Sequence, residues 1–272
     1  MMVRIGMVQM NVKYHCLKEN MIHAEEMIKQ AKEMGAELCV LPECMDIGWG
    51  TPFASQYASR IPGEVSDVLC EFAKKYRIWV ASGLTERDGN AVYNSAILIS
   101  EQGRIVSKHR KINIVTDVEK MYAVGDCLSL VDTPFGKIAL SICADNLIES
   151  SCIGHSLGRM GVQLMLSPCS WAVAPENYGR EYGDEWHETY RELSDSYNMA
   201  IVGVSNVGEI TFGDWKGYKA IGNSIAYDSD GTCLISLPYG EEVECVKIVD
   251  VSIRECQLRG TELAEHLYKR RV

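Results

Sequence analysis

Apolar and polar positions along this chain change their period several times, and the changes mark its elements. Residues Val3–Val12 alternate as a strand does. Leu17–Met34 repeats at helical spacing with charged residues on its outer face, and Gly35 stands where a helix C-cap belongs. Leu38–Leu41 is a short unbroken apolar run, the pattern of a strand covered on both faces. Pro62-Gly63 predicts a turn, Val65–Tyr76 an amphipathic helix and Ile78–Ser82 a strand. Ala91–Ser100 and Ile105–Lys108 are separated by Glu101-Gln102-Gly103 and read as a hairpin. Lys111–Leu130 shows no period.

Farther on, Phe135–Ile142 reads as a strand, Ile148–Met160 as a helix, and Gln163–Leu166 as a strand ended by Pro168. Trp171–Tyr182 is rich in Gly, Pro, Asn and Tyr and reads as a loop. Asp184–Tyr197 predicts a helix and Ala200–Asn206 a strand. Ile221–Tyr227, Thr232–Leu237 and Glu244–Asp250 follow as strands joined by Gly turns, and Val251–Tyr268 is a mostly polar tail with helical stretches. Strands and helices alternate early, and hairpins come in the middle and near the end. That order predicts an α/β fold with a mixed sheet. There is no internal repeat, low-complexity tract or linker, so residues 1–272 read as a single domain.

Composition narrows the class. A hydrophobic content of 47% and a charged content of 24% are those of a globular protein. A net charge of -10 without a basic stripe argues against a nucleic-acid partner. No apolar stretch approaches the ~20 residues that span a bilayer, so no membrane partner is expected. Lys269-Arg270-Arg271 reads as a solvated helix end. Eleven cysteines, an odd number, without a secretory signal suggest free thiols and a cytoplasmic location. None has C-x-x-C spacing, so no metal site is expected. Cys39, Cys70, Cys152, Cys233 and Cys245 lie in apolar segments and read as small core residues.

Three polar residues stand apart from this background. Glu43 lies just past the apolar run that ends in Leu41-Pro42. Lys111 closes Lys108-His109-Arg110-Lys111. Cys143 ends the run Lys137–Ile142 and is followed by Ala144-Asp145-Asn146. A carboxylate, an ammonium and a thiol near strand ends are the parts of a cysteine hydrolase that needs no histidine. A thiol becomes a strong nucleophile only on deprotonation, and a nearby carboxylate can take that proton. The ammonium can stabilise the oxyanion that builds up on an attacked amide. Such chemistry requires no metal or organic cofactor.

Gly35–Glu43, Lys108–Lys111 and Asp132–Cys143, in that order, resemble three segments of the nitrilase, or carbon–nitrogen hydrolase, superfamily. Gly161–Trp171 and Ala200–Asn206 are weaker echoes of it. The resemblance covers nearly the whole chain. It implies a nitrilase-like four-layer α-β-β-α sandwich with mixed sheets. It implies hydrolysis of a linear, non-peptide amide-type C–N bond through a thioester at Cys143, with Glu43 as general base and Lys111 as oxyanion donor. Glu119, eight residues after Lys111, is similar to the family's second glutamate, which supports substrate and lysine. Association into a homodimer or larger homo-oligomer, and a small-molecule amide as substrate, are also implied. The run after Cys143 lacks the arginine that binds a substrate carboxylate in some carbamoylase-like members. It also lacks the Trp-Glu of nitrilases, and Asn113 stands where a histidine is common. Amides are therefore expected ahead of N-carbamoyl compounds and nitriles.

Other readings compete. Gly154-His155-Ser156-Leu157-Gly158 matches the G-x-S-x-G elbow of serine hydrolases, and Asp195 and His266 follow in the right order. No strand leads directly into Ser156, however, and it reads as a helix residue. A non-catalytic binder, or acyl transfer to an amine from the same thioester, are further alternatives. Trp171, Tyr178 and Tyr182 are expected either to line the pocket or to pack as ordinary aromatics.

Overall fold

A computed structural model describes residues 1–256. In chain order the first elements are β1 (Met2–Gln9), α1 (Leu17–Glu33), β2 (Leu38–Val40), α2 (Ala54–Tyr57), α3 (Glu64–Tyr76), β3 (Trp79–Asp88), β4 (Ala91–Ile99) and β5 (Ile105–Arg110). Then come β6 (Leu130–Thr133), β7 (Gly136–Leu140), α4 (Ser151–Arg159), β8 (Leu164–Cys169), β9 (Ala172–Val173) and α5 (Asp184–Tyr197). The last are β10 (Ala200–Ser205), β11 (Val207–Glu209), β12 (Lys219–Ile221), β13 (Ile225–Tyr227), β14 (Cys233–Ser236) and β15 (Cys245–Ser252).

Two six-stranded mixed sheets carry the fold, in the orders β15-β1-β2-β3-β4-β5 and β14-β13-β10-β8-β7-β6. A small third sheet joins β11, β12 and β9. In the first large sheet β1, β2 and β3 are parallel; in the second β10, β8 and β7 are parallel. The sheets lie face to face, with β2 and β3 against β8 and β1 against β10. Helices α1 and α3 cover the outer face of the first, and α5 packs on the outside of the second. The α-β-β-α sandwich is therefore present.

The unbroken apolar runs follow from this layering. Along β2, Leu38 and Val40 point into the core between the sheets, while Cys39 belongs to the cluster under α1 and α3. In β1, Ile5 and Met7 face the sheet interface and Val8 faces the helices. A strand covered on both sides needs apolar residues at every position.

Some expectations change. Strand β3 runs to Asp88 and pairs with β4 as a second hairpin. Residues Ile148–Met160 divide into a 3-10 turn, Ile148–Ser150, and α4. Pro168 does not end its strand, because β8 continues to Cys169 beside β10. The Leu166 carbonyl accepts from Ser141 N and so faces β7. Pro168, two residues on, faces the same side beyond the end of β7, where its missing N–H leaves no ladder bond unmade. Ile221–Tyr227 is broken between β12 and β13, with Gly222 and Asn223 both left-handed at φ 62° and 56°. Of the cysteines expected in the core, Cys39 is buried, Cys70 and Cys245 are half-buried, and Cys152 and Cys233 are exposed. Cys233 lies on β14, an edge strand of the second sheet. The tail beyond residue 256, with His266 and Lys269-Arg270-Arg271, lies outside the described residues. No helix among the described residues is long and apolar enough to cross a membrane.

Candidate active site

Three polar side chains from distant segments, Glu43, Lys111 and Glu119, meet beside the ends of the two sheets, and Cys143 lies within reach of the charges of Glu43 and Lys111. Glu43 lies three residues past β2. Its backbone N–H donates to Cys169 O at 3.1 Å, which ties the end of the first sheet to the end of β8 in the second. Gly83 lies directly behind it: a Cβ there would stand 2.6 Å from Glu43 Cα. Lys111 follows β5 and extends its pairing with β4 by one bond, Lys111 N to Asn94 O at 2.8 Å. Glu119 sits in a tight turn. Its N–H donates to Val115 O, and its Oε2 accepts from Val115 N, each at 2.8 Å. Cys143 follows β7, and after extended Ile142 its own φ is +42°. That conformation is uncommon for a residue with a Cβ, and such outliers collect at functional turns.

The Lys111 ammonium lies between two carboxylates, 2.8 Å from Glu43 Oε1 and 2.9 Å from Glu119 Oε2. All three side chains are buried. Asn94 Nδ2 donates to both glutamates, at 2.6 Å to Glu43 and 2.8 Å to Glu119, and Trp49 Nε1 donates to Glu119 Oε1 at 2.8 Å. Glu43 Oε2 is buried with no hydrogen-bond partner.

Burial pushes the Glu43 carboxyl up, the Lys111 charge opposes the rise, and the Glu119 charge adds to it. Burial would depress Lys111, but the charges of Glu119, Glu43 and Cys143 hold it well above the ordinary lysine range. The Cys143 thiol is raised by its hydrogen bond to Cys169, by burial and by the Glu43 charge, while Lys111 pulls it down. Burial and the Glu43 charge therefore disfavour the ionised thiol. Beside it are a carboxyl raised toward neutrality and a fixed positive charge.

A second cluster joins the segment of Lys111 to the turn of Cys143. Asp145 accepts from His109 Nε2 at 2.8 Å, Ile112 N at 3.0 Å, Asn113 N at 2.7 Å and Ile142 N at 3.1 Å. Asn113 Nδ2 donates to Ala144 O at 2.6 Å.

The structure brings Glu43, Lys111 and Glu119 into direct contact and places Cys143 within reach of the charges of Glu43 and Lys111. Ser156 lies on the exposed face of α4, and its hydroxyl donates to Cys152 O at 2.7 Å. Trp171 is buried and stacks on Trp186 at 5.1 Å between ring centroids. Tyr182 accepts from Trp186 Nε1 at 3.3 Å. Tyr178 is exposed against Tyr239. Asn94, Trp49, His109 and Cys169 were not anticipated. Asn94 had a signal, a polar side chain in the middle of an apolar strand; Trp49 had none. Among the described residues no group of three or more His, Cys, Asp or Glu is placed to hold a metal ion.

The family model for carbon-nitrogen hydrolases matches residues 4–262. An omega-amidase NIT2 from Danio rerio is 32% identical over 176 residues, 61% of this chain and 62% of that protein. A nitrilase from Pyrococcus abyssi is 30% identical over 174 residues, 62% of this chain and 65% of that protein. The matches thus span somewhat less than two thirds of these relatives. Saccharomyces cerevisiae Nit3, a member of branch 10 of the nitrilase superfamily, has the same fold with a TM-score of 0.78 at 22% identity, covering 100% of this chain and 94% of that one. A mutant amidase from Nesterenkonia sp. AN1, with acrylamide added at its active site cysteine, superimposes with a TM-score of 0.79 at 17% identity, covering 98% of this chain and 99% of that one.

Proposed function

The chain belongs to the carbon-nitrogen hydrolase family, and we propose that it hydrolyses a linear, non-peptide amide through a thioester at Cys143. The observation that carries this reading is the buried Lys111 ammonium held at 2.8 Å from Glu43 and 2.9 Å from Glu119, with Cys143 close enough to share their field. Relatives named as omega-amidases support an amide substrate.

In this reading Glu43 takes the Cys143 proton as the sulfur attacks the amide carbon. Its unpartnered Oε2 leaves an oxygen free for that proton. Negative charge develops on the amide oxygen. Lys111 and a backbone N–H just after Cys143 stabilise it, a contribution that typically amounts to about 10²–10³ in rate for one donor. The tetrahedral adduct collapses, ammonia or an amine leaves with the proton from Glu43, and the thioester remains. Glu43 then removes a proton from water, which attacks the thioester and frees the acid and the thiol. Glu119, Asn94 and Trp49 hold the lysine and the base in place throughout.

The test is ammonia release by the wild type and by Cys143→Ala across aliphatic amides, ω-amides of dicarboxylic acids, N-carbamoyl compounds and nitriles. Release from an amide that vanishes in the mutant is the expected result. Release that survives the mutation would overturn the assignment of Cys143.

A further inference from the structure

Trp49 touches two of the three buried polar residues of the site. Its Nε1 donates to Glu119 Oε1 at 2.8 Å, and the Lys111 ammonium lies 5.8 Å from the centre of its ring. Local contacts set its backbone. Gly48 and Gly50 on either side are left-handed, at φ 89° and 71°, and Trp49 O accepts from the Tyr14 hydroxyl at 2.7 Å. Backbone contacts do not fix the two side-chain torsions that aim an indole.

A second indole meets that ring. Trp215 lies 5.3 Å from Trp49 between ring centroids, at 69°, an edge-to-face contact. It comes from the loop between β11 and β12. Ile210 N donates to Tyr218 O at 2.9 Å and Gly217 N to Ile210 O at 2.8 Å, which closes the loop at its base. Trp215 also stacks on Tyr218, with centroids 4.8 Å apart. The loop lies directly on the Trp49 segment: a Cβ at Gly213 would stand 2.4 Å from Gly50 O. Lys120 and Asp214 pair at 2.8 Å across the same contact, but both are mostly exposed, so the pair adds little. Trp49 is 2% exposed and Trp215 is half-buried, so Trp215 is the outer member of the pair.

We propose that Trp215 is a positioning residue, whose ring holds the Trp49 indole with Nε1 on Glu119 and its face toward Lys111. The role rests on the reading of Lys111 as oxyanion donor. Glu119 Oε1 accepts from Trp49, Asn94 and Lys111. An indole that turns away removes one of these donors. The carboxylate then draws harder on the ammonium and pulls it from Glu43 and from the place where the oxyanion forms. Misplacement of about 1 Å in a reacting site costs as much as about 10²-fold in rate.

Two measurements on the full chain test this role. The first is the proton–nitrogen spectrum of the indoles, in which the Trp49 signal is assigned by its loss in Trp49→Phe. In Trp215→Ala the Trp49 N–H proton is expected to move upfield and to exchange faster with solvent, and in Trp215→Phe to stay near the wild type. The second is steady-state amide hydrolysis. Trp215→Ala is expected to lower kcat about 10–100-fold with a smaller change in KM, and Trp215→Phe to recover most of the loss. The losses in Trp49→Phe and Trp215→Ala are expected not to add, because one residue acts through the other. Asp214→Asn loosens the loop without touching the ring and is expected to keep the wild-type rate. If the alanine variant does not fold, Trp215→Leu carries the same two expectations. A Trp49 signal that does not move, losses that add, or an equal loss in Asp214→Asn would each overturn the proposal. The indole spectrum needs no substrate, so it tests Trp215 even if the wild type cleaves no amide and the amidase reading fails.

Discussion

His109 and Asp145 meet at 2.8 Å, Nε2 to Oδ2, in a position where both side chains are buried. The contact crosses from β5, which leads into Lys111, to the turn that carries Cys143. The same carboxylate also accepts the N–H groups of Ile112, Asn113 and Ile142. One side chain thus ties the segment that leads into Lys111 to the turn that carries Cys143.

Replacing Asp145 by alanine leaves a buried imidazole and three N–H groups without their acceptor. The expected cost is about 3 kcal/mol, read as a lower denaturation midpoint. Asp145→Asn keeps an acceptor and loses less. Burial would raise Asp145, but the His109 hydrogen bond and charge, with the Asn113 N–H, hold it below its ordinary 3.8. In the acid range the unfolded chain therefore binds the extra proton first. The contribution of Asp145 is complete above pH 3.8 and is lost as the pH falls through the native value. Urea titrations at neutral and acid pH check this, and identical midpoints for wild type and Asp145→Ala at neutral pH would contradict it.

The acid limb of the pH–rate profile reports the general base. Burial, with the charge of Glu119, raises Glu43, so that limb lies above the ordinary 4.5 of a glutamate. Glu119→Gln removes the neighbouring negative charge that raises Glu43 while keeping a group of the same shape. Its residual kcat/KM is expected to have an acid limb at lower pH than the wild type. A limb that stays in place or moves up would show that Glu43 does not titrate it.

Gly83 lies under the backbone of Glu43. A methyl group there would stand 2.6 Å from Glu43 Cα, 2.9 Å from Cys44 N and 2.9 Å from Pro42 O. These are backbone atoms and cannot swing aside as a flexible side chain can. Gly83→Ala is expected to destabilise by roughly 1–3 kcal/mol, as overpacking does. It also lowers kcat in the fraction that stays folded, because Glu43 shifts from Lys111. Unfolding and steady-state rates measured on the same preparation test both effects, and an unchanged kcat would sink the second.

Much of the site was legible in advance because its residues sit next to strong local patterns. Glu43 and Cys143 follow apolar runs long enough to be recognised as buried strands. Lys111 ends a hairpin whose turn, Glu101-Gln102-Gly103, is visible in the sequence. Asn94 is different. It donates to Glu43 from 51 positions away and to Glu119 from 25. Cys169 carried no signal of its own, because a cysteine in an apolar strand looks like any small core residue.

By itself the sequence determined the α/β alternation, the strands covered on both faces and the identities of the thiol, the ammonium and the two carboxylates. These follow from local periodicity and residue chemistry, which do not depend on what lies across the sheet. The tertiary structure alone decided that Asn94 and Trp49 hydrogen-bond the carboxylates and that Asp145 joins the Lys111 and Cys143 segments. Those relationships depend on strand order, register and the path of loops between sheets, where distances of a few tenths of an ångström decide whether a hydrogen bond exists.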